Sequence, residues 1–144
     1  MEAAAVRGRF HIVAETHWLR AKRNNLNDPT FFGAYAEVGM FLTKDSRPLN
    51  GGMFGTIRPR KPMGGGGLGA VQLNLRYDYL DLNNRTIIGG AQDAYLASLI
   101  WTPAEHFRLM GQYAKLDYTD AAIAVGGSRS YSVDILGVRG QISF

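Results

Sequence analysis

Cysteine is absent from the 144 residues, which excludes disulfides, thiolate metal sites and thiol catalysis together. Histidine occurs three times, at His11, His17 and His106, with no HExxH pattern and no nearby carboxylate cluster, so no metal site is expected. No apolar run approaches the roughly 18 residues that a membrane-spanning helix requires. Ser46, Ser98, Ser128, Ser130, Ser132 and Ser143 lack a nucleophile-elbow context, and the glycines at 64–67 lack the Lys-Ser/Thr that a phosphate-cradling loop needs. Neither catalytic residues nor a cofactor are therefore expected. The first ten residues, MEAAAVRGRF, have no basic segment leading into a long apolar stretch. An exported protein should carry such a leader, so something upstream is either missing or never existed.

What is present points to sheet. Hydrophobic residues make up 46% of the chain and glycines number 18, yet the mean hydropathy is only −0.13. Membrane β-barrels produce that combination because their hydrophobicity falls on alternate residues. The net charge of +4 is unevenly placed: residues 1–66 hold ten Lys/Arg against five Asp/Glu, and the remainder six against seven. The excess lies in Arg20-Ala21-Lys22-Arg23 and in Arg58-Pro59-Arg60-Lys61-Pro62. Such clusters are most simply solvated loops, and without an accompanying reading motif they do not indicate nucleic-acid binding.

Period-two alternation gives six strand candidates and almost no helical signal. In 71–82, Val71, Leu73, Leu75, Tyr77 and Tyr79 face one way and Gln72, Asn74, Arg76 and Asp78 the other. Weaker candidates cover 10–20 and 31–43, and further ones cover 93–102, a strand starting at Phe107, and the carboxy terminus. In the last, Leu136, Val138, Gly140, Ile142 and Phe144 oppose Ile135, Gly137, Arg139, Gln141 and Ser143. The fold expected is all-β, an antiparallel meander of about six strands in one domain spanning 1–144. A short turn, 102–106, contrasts with longer loops at 83–92 and 120–129 on the opposite end. Residues 44–67, rich in glycine, proline and basic side chains, read as a long connection without regular structure. Trp101, Phe107 and Phe144 collect at the short-turn end, as an aromatic girdle would.

Several ordered stretches carry a family resemblance: Phe41-Leu42-Thr43-Lys44-Asp45-Ser46-Arg47-Pro48, residues 68–83, Gly89-Gly90, Phe107-Arg108-Leu109-Met110 and the terminal strand. Together they resemble the carboxy-terminal part of phosphate-selective porins O and P. The resemblance departs at Thr43-Lys44-Asp45, where the family commonly has Thr-Gly-Glu. It implies a segment of a 16-stranded outer-membrane barrel, usually a homotrimer, that passes anions, phosphate among them, through a basic water-filled lumen. It also implies outer-membrane lipid, the barrel-assembly machinery and the remaining strands of a parent barrel as partners. By parity Arg76, Arg108 and Arg139 should face that lumen, and Arg58, Arg60 and Lys61 lie in a connection that could enter it. Inward arginines can equally pair with Asp78 or Glu15 to hold the wall. Phe144, Ile142 and Val138 would form the terminal assembly signal. The alternative from another class is a soluble, lipocalin-like ligand-binding sheet.

Overall fold

In a computed structural model that describes every residue except Asn25, Thr86 and Phe144, the chain is a single antiparallel meander. The strands are β1 (Glu2–Arg7), β2 (Phe10–Arg20), β3 (Thr30–Phe41), β4 (Leu49–Asn50), β5 (Met53–Phe54), β6 (Ala70–Asp81), β7 (Ala91–Ala104), β8 (Phe107–Thr119) and β9 (Tyr131–Ile142). Seven of them form one sheet in the order β1-β2-β3-β6-β7-β8-β9, and β4 pairs only with β5. All neighbours run antiparallel, and among the described residues β1 and β9 are each paired on one side.

Six of the seven sheet strands are those expected from alternation. The seventh, β1, lies in Glu2–Arg7, where Ala3, Ala4 and Ala5 give no contrast between faces; its pairing with β2 makes it a strand. The connection 44–67 differs from expectation in two ways. It contains the β4–β5 hairpin, closed by Gly51 and Gly52 at φ of 56° and 84°, backbone that a tight two-residue turn needs and that glycine adopts without steric cost. It also lies at the same end of the sheet as the Glu105-His106 turn, because β3 ends and β6 begins there. Long connections are thus not confined to the opposite end. Pro103 belongs to β7, at a register shift between Trp101 and Ala104 where no ladder donor is needed.

The two faces of the sheet differ in what covers them. One bears Phe10, Ile12, Val38, Leu73, Leu75, Leu99, Val138 and Ile142, all exposed, with Val138 at 83%. The other bears His11, Gln72, Asn74 and Arg76, and the long connection lies against its short-turn end. Phe41, Ile57 and Ala70 form a small core there, with Phe41 fully buried. Thr43 and Asp45 fasten the two ends of the connection. Asp45 accepts from the Thr43 hydroxyl at 2.5 Å and from the Arg60 amide at 2.7 Å, while Thr43 Oγ1 accepts from the Val71 amide at 3.2 Å. Trp101 Nε1 donates to the Leu68 carbonyl at 2.7 Å, fixing the return to β6.

Candidate functional site

The outer face carries a band whose upper edge is visible in the register. Its last apolar or aromatic residues are Trp18 on β2, Phe32 on β3, Tyr79 on β6, Tyr95 on β7, Tyr113 on β8 and Leu136 on β9. Trp18 pairs with Phe32, but Tyr79, Tyr95 and Tyr113 each sit two residues lower than the residue opposite their predecessor. Tyr113 and Leu136 then pair directly. The edge therefore descends six residues across five strand steps. At ~3.3 Å per residue and ~4.8 Å between strands, a level edge requires strands tilted by roughly 40°. Transmembrane barrels tilt their strands by about 35–45°.

Charge begins immediately above this edge. Asp81, Asp93, Lys115 and Asp134 lie two residues beyond Tyr79, Tyr95, Tyr113 and Leu136 on the same face. The tyrosines hold on to that charged row: Tyr77 donates to Asp93 Oδ1 at 2.5 Å and Tyr113 to Asp134 Oδ1 at 2.6 Å. Rings with an apolar body below and a hydroxyl bonded to carboxylate above suit the boundary between hydrocarbon and water. Rings pair along this row, with centroids 5.2 Å apart for Trp18 and Phe32, 6.2 Å for Phe32 and Tyr79, and 5.3 Å for Tyr77 and Tyr95. The lower edge slants the same way, through Phe10, Trp101 and Phe107.

On the inner face the register brings Arg76, Arg108 and Arg139 to one side of the sheet. Glu37 stands opposite Arg76, Met110 opposite Arg139 and Gln141 opposite Arg108. Their surroundings differ. Arg76 grips Asp78 through Nε at 3.0 and 2.9 Å and through Nη2 at 2.5 Å, and its guanidinium lies 3.8 Å from the ring centroid of Tyr35. Its charge is already engaged by the wall. Arg108 and Arg139 have no carboxylate within 4.0 Å among the described residues.

The basic cluster of the connection divides. Arg58, well exposed, donates from Nε to Glu105 Oε1 at 2.6 Å. Arg60 Nη1 donates to the Lys44 carbonyl at 3.2 Å, and Lys61 lines a separate depression with Lys44, Asp45 and Arg60. Val138 and Ile142 are exposed on the outer face, at 83% and 63%. The expected role of Phe144 lies outside the described residues.

Sequence reasoning did not single out Arg47, yet Arg47 holds the connection to the inner wall. Its Nη1 donates to His11 Nε2 at 3.1 Å and lies 3.7 Å from Glu37 Oε1, and its guanidinium covers the Phe54 ring at 4.1 Å. Phe54 in turn meets His11 edge-on at 5.6 Å. Burial lowers the Arg47 pKa below its ordinary value, Glu37 opposes this, and Arg108 adds to the lowering. The His11 side chain is fully buried, and Gly39 on β3 makes its place: a Cβ there would overlap the imidazole and Asn74 Oδ1. The sequence signal that could have found Arg47 is its position in the Phe41–Pro48 stretch, but nothing local reveals its partners.

The family model for "Phosphate-selective porin O and P" matches residues 1–144. A protein of Caulobacter vibrioides, described only as uncharacterized, is 53% identical over 144 residues, covering all of this chain and 29% of the relative. The chain thus spans less than a third of the length of that relative.

Proposed function

Because the chain belongs to the phosphate-selective porin O and P family, we propose that it is the seven-stranded part of an outer-membrane barrel that lets anions diffuse through a water-filled lumen. The observation carrying this reading is the slanted apolar band. An exposed apolar face bounded by tyrosines and then by charge, level only when the strands tilt by roughly 40°, fits a bilayer slab. A lipocalin-like module would turn its apolar face inward around a ligand. Here the connection packs on the polar face and the apolar face is left outward.

Two unpaired edges cannot remain in lipid, since every open ladder group would go without a partner. Further strands of a parent barrel are the natural partners of β1 and β9, with outer-membrane lipid around them. The family membership supports adding a homotrimer and handling by the barrel-assembly machinery to this reading.

Anion preference would come from a field rather than a reaction. Cations on a wet wall raise the local anion concentration, and guanidinium keeps its charge while forking onto oxyanions. The inner wall is not uniformly basic. Glu15, Glu37 and Asp78 accompany Arg76 in its middle, and Arg108 and Arg139, together with Arg58, Arg60 and Lys61 of the connection, gather toward the short-turn end. The anion-attracting part of this segment is therefore that mouth. The test is detergent extraction followed by planar-bilayer recording of the full-length porin under a salt gradient. An anion-signed reversal potential is expected, and a protein that stays in water without detergent would end the reading.

A further inference from the structure

The inner wall is not polar throughout. On β6 its middle carries Asp78 and Arg76, but at the register of Asp78 the inner side chains of β8 and β9 are Leu116 and Val133. Tyr118 and Tyr131 stand one row nearer the long loops, and Leu96 and Ile135 one row nearer the short turn. These six form an apolar column on β7 to β9, beside the charged one. Val133 and Ile135 are 38% and 46% exposed although they face the wet side. Apolar surface left in water is unfavourable, and a contiguous patch of it marks a place where something apolar binds.

At the long-loop end the column runs into a hollow of about 300 Å³. Tyr118 and Tyr131, with ring centroids 5.0 Å apart, line it together with Leu80 and Leu82, and Ile123 joins them from the loop at 120–129. Gly90 sets how closely that loop approaches: its φ is 89°, and a Cβ there would stand 2.9 Å from Ala121 Cα and from the Asp120 carbonyl oxygen. Backbone bonds hold both sides, with the Leu82 amide donating to the Gly90 carbonyl at 3.0 Å and the Ala121 amide to the Arg129 carbonyl at 2.8 Å.

We infer that this hollow and the column below it take the apolar body of an organic anion, and that the solute class is aromatic monocarboxylates. The volume is that of a small-molecule site, and tyrosine rings stack against a flat ring face. Charge complementarity supplies the anionic head. At the foot of the column Arg139 stands four residues beyond Ile135, ~13 Å along β9, with no carboxylate within 4.0 Å among the described residues. Gly137 lies between them, with nothing within 4 Å of a Cβ placed there, so a flat ring can rest on bare backbone between Ile135 and Arg139. The neighbouring carboxylate, Asp78, is compensated by Arg76. The inference rests on the anion-channel reading and adds a solute class to it.

The experiment is single-channel recording of the full-length porin in chloride, titrated with benzoate and separately with acetate, which carries the same head without the ring. Each is read as the concentration that halves the chloride current. Benzoate should reach that point at a concentration on the order of tenfold lower, the scale of burying one face of a ring. Tyr131→Ala should narrow the gap about fivefold by weakening benzoate alone. Tyr131→Phe should preserve it, and Lys115→Gln, on the outer face, should leave both values unchanged. If Tyr131→Ala does not assemble, Leu116→Gln tests the same column and should narrow the same gap. Equal values for the two acids, or a gap unmoved by these column substitutions, overturns the inference; a loop of the parent barrel lying over the column would give that result. An anion-signed reversal potential then leaves the channel reading standing, whereas a silent or cation-selective wild type overturns both.

Discussion

Placing arginine at Leu75 separates a lipid-facing surface from a water-facing one. Leu75 is 52% exposed, and on β6 it lies midway between Val71 at the lower edge of the band and Tyr79 at the upper. Four residues to either side correspond to ~13 Å along the strand, or about 10 Å of depth at a 40° tilt. A charge at that depth should cost roughly 2–4 kcal/mol on the lipid face of a barrel, falling to about 0–1 kcal/mol near the interface. Leu75→Arg should therefore destabilise by that larger amount and Val71→Arg by the smaller. The assay is equilibrium denaturant unfolding of the full-length porin in lipid vesicles, comparing midpoints at constant slope. If the face met water, an exposed substitution would stay within about 0.5 kcal/mol at both positions. Equal, small effects at Leu75 and Val71 would refute the slanted band and the orientation built on it.

Four further outcomes follow from single contacts. Gly39→Ala should destabilise by about 1–3 kcal/mol in the same assay, because its Cβ would overlap His11 and Asn74, whereas Gly111→Ala, with nothing within 4 Å, should not. Phe41→Ala should cost about 3–5 kcal/mol and free the connection, since Phe41 is its fully buried anchor; protease cleavage within 50–66 should then speed up. Arg47→Gln should speed the same cleavage with a smaller loss of stability, and the size of the channel current would register the displaced connection. Arg58→Gln should change stability by no more than about 1 kcal/mol, because its pair with Glu105 is solvent-exposed.

Much of the fold was legible because a strand's side chains alternate whatever it pairs with. The runs at 71–82 and 135–143 declared both their secondary structure and their two faces, and with the strand starting at Phe107 they put Arg76, Arg108 and Arg139 on one face of the sheet. Glu2–Arg7 was missed because alanine carries no contrast between faces. The β4–β5 hairpin was missed because two-residue strands are too short to show a period. The site was less legible than the fold. Arg76 and Arg108 look alike in sequence, yet one is held by Asp78 and the other has no carboxylate within 4.0 Å among the described residues, and that difference depends on rotamer and register.

The sequence by itself determined which residues alternate, and hence that this is sheet with one apolar and one polar face, since side-chain direction is a local property of extended backbone. Tertiary structure alone decided three things that no local pattern contains. It set the strand offsets that turn separate aromatics into one slanted edge. It folded the long connection onto the polar face, where Arg47 could reach His11 and Glu37. It also brought Arg47 and Arg108, far apart along the chain, to one cavity. Each depends on register and long-range packing, which are fixed only when the strands pair.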